Sequence, residues 1–151
     1  MCCDLLINRW NCNENSMIRI VKEKIDIEEV LNAVEDPSAG GIDVFIGTMR
    51  NISAGKTVLS LEYEAYEEMA LSMMERISAE ATGRWGLKKV AIVHRVGKVG
   101  IGEASIVVAV SAEHRKEAFE GCRFIIDSVK KDAPIWKKEY YSEGSAWIGV
   151  R

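Results

Sequence analysis

Residues 89–112, KVAIVHRVGKVGIGEASIVVAVSA, followed by residues 113–134, EHRKEAFEGCRFIIDSVKKDAP, decide the fold. Two apolar, β-branched runs, 89–96 and 104–112, read as strands. The Gly-rich GKVGIGE between them reads as the turn of a hairpin. The apolar period then changes from two to 3.6. Ala118, Phe119, Cys122, Ile125, Ile126 and Val129 fall on the inner face of a long helix. Its start lies at Ser111 or Glu113, and Pro134 ends it.

Working toward the N-terminus, residues 67–82 carry Ala70, Met73, Met74, Ile77 and Ala81 on one helical face. Gly83 and Gly86 mark the end of that helix. Residues 58–66, VLSLEYEAY, alternate strictly and predict a half-exposed strand. Residues 40–48, GGIDVFIGT, form a short apolar run and predict a buried strand. Asp26 and Glu29 have the spacing of a capping box, which predicts a short helix with Val30, Leu31 and Val34 inward. Asp36-Pro37 stops it. Residues 17–24 alternate as a strand. Residues 1–16, polar and rich in Asn, read as a loose tail ahead of a single domain, 17–151. Toward the C-terminus, residues 135–141 and 146–150 predict two short strands. The sum is an α+β chain with two long helices, one short helix and helices packed on one sheet face.

The 151 residues suit one domain, and 48% apolar composition supplies a core. The net charge of −3 argues against a nucleic-acid coat, so any anion site must be local. No apolar run approaches the ~20 residues of a membrane span. Cys2, Cys3, Cys12 and Cys122 lack a metal-binding or disulfide spacing, which fits a reducing cytoplasm. Met69, Met73 and Met74 read as core fillers.

Several short motifs could carry chemistry. AGKT, residues 54–57, imitates part of a phosphate loop. Arg50 stands where the first Gly is needed and a strand follows in place of a helix, so a hairpin turn fits better. Thr48-Met49-Arg50 closes an apolar strand. That is a rigid platform for a ligand-binding Arg, although a solvated strand end carries the same residues. Glu113-His114-Arg115 opens the second long helix, where free backbone N–H groups favour anions and cations are mildly unfavourable. His94-Arg95 lies mid-strand and reads as one side chain in, one out. Lys130 and Lys131 suit a helix C-terminus. Lys137 and Lys138 follow on a strand pattern and point to opposite faces. One of them faces the helix end, where repulsion from a neighbouring lysine lowers an amine pKa. Solvated surface lysines are the plainer alternative.

His114 and Lys130 are sixteen residues apart on one helix, roughly 24 Å at ~1.5 Å per residue. One bound ligand can touch both only if the site draws on two copies of the chain, which predicts a homodimer with composite sites.

FIGTMRN (45–51), YEAY (63–66), residues 84–103, SAEHRKEAFEGCRFIIDSVK (111–130), APIWKKE (133–139) and EGSAWI (143–148) together resemble the large, catalytic subunit of molybdopterin synthase from about residue 17 onward. The resemblance implies an α/β-hammerhead fold with a small β subdomain and a homodimer at the centre of a heterotetramer. It also implies a small ubiquitin-like partner whose C-terminal Gly-Gly is carried as a thiocarboxylate. The implied reaction is sulfur transfer to cyclic pyranopterin monophosphate in the cytoplasm, with no cofactor or metal. By the same resemblance Thr48, Met49, Arg50, His114, Arg115, Lys130, Lys137, Lys138, Glu139 and Arg151 contact substrate, and Lys130 and Lys137 are catalytic. A scaffold that binds anions or docks a partner without catalysis is the alternative. Single-strand nucleic-acid binding through Trp136, Lys137 and Lys138 fits the acidic charge poorly.

Overall fold

Period-two burial builds the first layer. The computed structural model describes residues 15–148. The expected tail, apart from Asn15 and Ser16, lies outside the described residues, as do Cys2, Cys3, Cys12, Arg151 and the end of the last expected strand. In chain order the elements are β1 (Ser16–Val21), α1 (Ile27–Ala33), β2 (Gly41–Thr48), β3 (Ile52–Ser53), β4 (Lys56–Ala65), α2 (Glu67–Trp85), β5 (Lys89–Arg95), β6 (Gly97–Val99), β7 (Ala104–Ala112), α3 (Arg115–Asp132), β8 (Ile135–Tyr141) and β9 (Gly144–Ile148).

One sheet has the order β1-β5-β7-β2, with β1 parallel to β5 and the other pairs antiparallel. Ile18, Ile20, Val90, Ile92, Ile106, Val108 and Val110 turn to one face. There they meet Ala70, Met74 and Ile77 of α2 and Ala118, Cys122, Ile125 and Val129 of α3. The alternate residues Met17, Ala91, Val93, Val107 and Ala109 turn to the other face and meet Val30 of α1 and Val34, which caps that helix. The expectation of helices on a single face is therefore corrected: β5 over 90–93 and β7 over 106–110 are apolar on both faces, so both faces need cover. The cap on α1 is as expected, with the Asp26 carboxylate accepting from the Glu29 N–H.

A second sheet has the order β3-β4-β8-β9, with β6 also paired to β4. Met49, Val58, Leu61 and Val99 form its core. The turn between β3 and β4 places Ala54 and Gly55 at φ 50° and 77°, a left-handed pair that makes a tight hairpin. The phosphate-loop imitation is thus a hairpin turn, with no helix after it.

Several details differ from expectation, among them Met69, read as a core filler but exposed. The segment read as a simple turn between β5 and β7 contains β6, which reaches across to Leu61, Glu62 and Tyr63 and joins the two sheets. The run 40–48 is an edge strand, not a buried one: Ile42, Phe45 and Ile46 are exposed. Phe119, expected inward, is 58% exposed on the outer flank of α3. Gly83 lies within α2, which ends at Gly86 in a left-handed cap. Among the described residues no helix is long and apolar enough to cross a membrane.

Candidate active site

Where α3 runs out, the two sheets meet. Lys130 lies in the last turn of α3, favoured there by the helix dipole. Ala133 caps the helix, Pro134 follows, and the chain turns into β8. On β8 the side chains of Lys137, Glu139 and Tyr141 share one face, since strand side chains alternate. Lys138 takes the other face, with its ammonium 5.2 Å from the Tyr140 ring and 5.3 Å from the Trp147 ring. Of the two lysines, Lys137 is the one that faces the end of α3.

Burial, and then the Lys137 ammonium, hold the Lys130 amine below the ordinary lysine value. Lys137 forms an ion pair of 3.3 Å with Glu139, whose side chain is only 2% exposed. Burial pushes the Glu139 carboxyl up. Hydrogen bonds donated by Tyr141 and Ser53, together with the Lys137 charge, outweigh it, so the group stays ionised below the usual range. The Tyr141 hydroxyl donates to Glu139 Oε2 at 2.5 Å. Glu139 is thus a buried, fully engaged anion that fixes Lys137.

Opposite Lys137 on β4 stands Tyr63. Its ring meets His94 edge-on, with centroids 5.1 Å apart. His94 is 6% exposed and shares the sheet face of Val90 and Ile92, the face that α3 covers. Its Nδ1 lies 2.8 Å from the carbonyl oxygen of Arg95. Burial lowers its pKa to about 4; that hydrogen bond opposes the shift, and the Lys130 charge adds a smaller lowering. The expectation of one residue in and one out at His94-Arg95 is met only in direction: Arg95 turns to the opposite sheet face, but its side chain is 11% exposed and pairs with Glu103. His94 and Tyr63 were not nominated for the site. The sequence signal was a histidine at an inward strand position otherwise held by Val and Ile.

The remaining nominated residues divide between the two ends of the sheet. Thr48 pairs with Ala104 at the β7 end from which β6 leaves, and exposed Arg50 follows it. Met49 is 4% exposed and packs in the core of the second sheet, so its side chain does not face solvent. His114 and Arg115 are exposed at the other end, where Gly41 pairs with Ala112 and a Cβ on Gly41 would lie 3.6 Å from the Arg115 Cα. His114 is the N-cap of α3, with Nε2 3.6 Å from the Glu113 carboxylate. The helix between His114 and Lys130 is unbroken. Within one chain these cations therefore form two groups, not one.

Cys122 is buried and donates to the Val108 carbonyl oxygen at 3.7 Å. Burial, and then the Asp43 carboxylate, push its thiol up to about 12. It stays a thiol at neutral pH, as a core residue should. Among the described residues no three His, Cys, Asp or Glu side chains converge as a metal site would. Trp136 and Lys138 lie on the face of β8 opposite Lys137, so the three form no continuous track for a single strand of nucleic acid.

Comparison with known proteins gives a consistent outcome. The family described as MoaE protein matches residues 20–132. The molybdopterin synthase catalytic subunit of Pyrococcus abyssi is 47% identical over 88% of this chain and 91% of its own length. The crystal structure of molybdopterin synthase from Staphylococcus aureus superposes with a TM-score of 0.84 at 36% identity, over 87% of this chain and 96% of that one. A chain from the complex of subunits 1 and 2 of the molybdopterin-converting factor of Helicobacter pylori matches with a TM-score of 0.72 at 25% identity, over 87% and 90% of the two chains. This chain belongs to the MoaE protein family.

Proposed function

We propose that the chain is the catalytic subunit of a cytoplasmic molybdopterin synthase. In this reading it moves sulfur from the C-terminal thiocarboxylate of a small ubiquitin-like subunit to cyclic pyranopterin monophosphate. The observation that carries the proposal is the pairing of Lys130 with Lys137 beside the buried Glu139. An amine held below its ordinary pKa can polarise or attack a carbonyl near neutral pH. A fixed ammonium beside it stabilises negative charge as it develops. Lys130 takes the first role at the thiocarboxylate carbonyl, and Lys137 the second as the cyclic phosphate opens. The complex of two subunits named for the Helicobacter pylori relative supports a small partner for this chain.

Arg50, His114 and Arg115 bind the phosphate and pterin. Because α3 separates His114 and Arg115 from Lys130, the complete site is shared between two copies of the chain. The exposed apolar side chains of the edge strand β2 and of Phe119 supply the surface for the second copy. The test is Lys130→Ala, assayed with a thiocarboxylated partner and the cyclic precursor. We expect conversion to fall by at least ~10³-fold while the dimer and its melting temperature persist. Near-normal turnover would remove Lys130 from the chemistry. Precursor binding without turnover in the unaltered protein would instead identify a non-catalytic docking module.

A further inference from the structure

We propose that His94 is a positioning residue for Lys130: a buried imidazole held by the Arg95 carbonyl and edge-on to Tyr63, which stands across from Lys137. The inference rests on the reading of Lys130 as the reacting amine. His94 occupies an inward position of β5 in register with Ile20 of β1 and Ile106 of β7. Both flanking residues belong to the apolar core, and the inner face of α2 is apolar as well. The ring lies on the face covered by α2 and α3, at the sheet end where α3 stops. Its titratable neighbours are Lys130 on α3, Tyr63 on β4 and, beyond Tyr63, the Lys137–Glu139 pair on β8.

The tautomer follows from the hydrogen bond. A carbonyl oxygen only accepts, so Nδ1, 2.8 Å from the Arg95 oxygen, carries the ring proton. Nε2 is then the lone-pair nitrogen. A second proton would create a buried cation beside two lysines with no carboxylate of its own, because Glu139 is engaged with Lys137, Tyr141 and Ser53. The low value of about 4 agrees with this geometry. A histidine that charged near 6.5 would add a third positive charge and make the lysine pair sensitive to ordinary pH changes. A carboxylate in its place would draw a proton onto Lys130 and remove the free amine. The neutral ring does neither.

The test uses the full chain with 13C-labelled lysine and 15N-labelled histidine. The Lys130 resonance is assigned by its loss in Lys130→Ala. In the unaltered protein we expect the His94 ring to show one protonated nitrogen and no titration between pH 8 and pH 5. A ring that titrates with a midpoint above 6 overturns the proposal without any variant having to fold. His94→Asn keeps an uncharged donor, and its Lys130 midpoint should stay within about 0.3 unit of the original. His94→Asp should raise that midpoint by about one unit or more, with the acid limb of the turnover profile moving the same way. An identical Lys130 midpoint in all three proteins overturns the proposal. A midpoint that moves while the turnover profile stays still supports the role of His94 and sinks the assignment of Lys130 as the reacting amine.

Discussion

In its place on β5 His94 has lost the water that an imidazolium needs, so the folded chain holds it neutral down to about pH 4 while the unfolded chain protonates it near 6.5. Between those values the unfolded state binds the extra proton. Stability that is present above pH 6.5 is therefore lost as pH falls toward 4. A gap of that size amounts to roughly 3 kcal/mol, a sizeable part of the stability of a domain. His94→Asn removes the titrating group and should flatten the acid limb of urea-unfolding free energy over pH 6.5–4. At neutral pH it should cost about 1 kcal/mol through imperfect packing. An acid limb as steep as the original would show that other groups set the acid sensitivity. Lys138 makes a contrasting case. It is as cationic as Lys137 but stacks on Tyr140 and Trp147, across β8 from the site. A period of two is enough to separate the two lysines.

At the scale of elements, the start of β2 fixes the start of α3. The Gly40 N–H donates to the Ala112 carbonyl at 2.9 Å. A Cβ placed on Gly40 would come within 2.3 Å of the Glu113 backbone oxygen. That atom belongs to main chain and cannot swing aside. Gly40→Ala should therefore push β2 and the His114-Arg115 corner apart. We expect a loss of about 1–3 kcal/mol in denaturant unfolding, with weaker binding of the cyclic precursor. An unchanged midpoint would mean that the corner relaxes freely. The elements around this corner were legible in the sequence because each satisfies its own period: α3 by its 3.6-residue stripe, α1 by Asp26 and Glu29, β5 and β7 by continuous Val, Ile and Ala. Three features were not legible. β6 is three residues long, too short to show a period, and its pairing with β4 is a long-range event. Phe119 and the apolar side chains of β2 were assigned inward because apolar side chains usually are. A period read from sequence tells which apolar side chains share a face, but not whether that face is covered within the chain. The ring contact between His94 and Tyr63 joins residues far apart in sequence, and no local pattern records it.

At the scale of the whole molecule, the distribution of cations makes a strong demand. Lys130, Lys137 and Glu139 lie at one end of the first sheet. His114 and Arg115 lie at the other, with all of α3 between them. If each site takes its lysines from one copy and its His114-Arg115 corner from the other, two differently damaged copies can repair each other. Pairing Lys130→Ala with Arg115→Ala in one dimer gives one site carrying both lesions and one site carrying neither. Random reassembly of equal amounts makes half of the dimers mixed, each with one intact site of two. Turnover should therefore return to about a quarter of the unaltered level, although each variant alone is nearly inactive. Phe45→Glu adds a charge to the apolar edge of β2 and should abolish both dimer and rescue, readable by light scattering and by the same assay. Reassembled mixtures no more active than the sum of their parts would place every catalytic group within one subunit. The separation of His114 from Lys130 would then mean that the α3 N-terminus serves something other than this reaction.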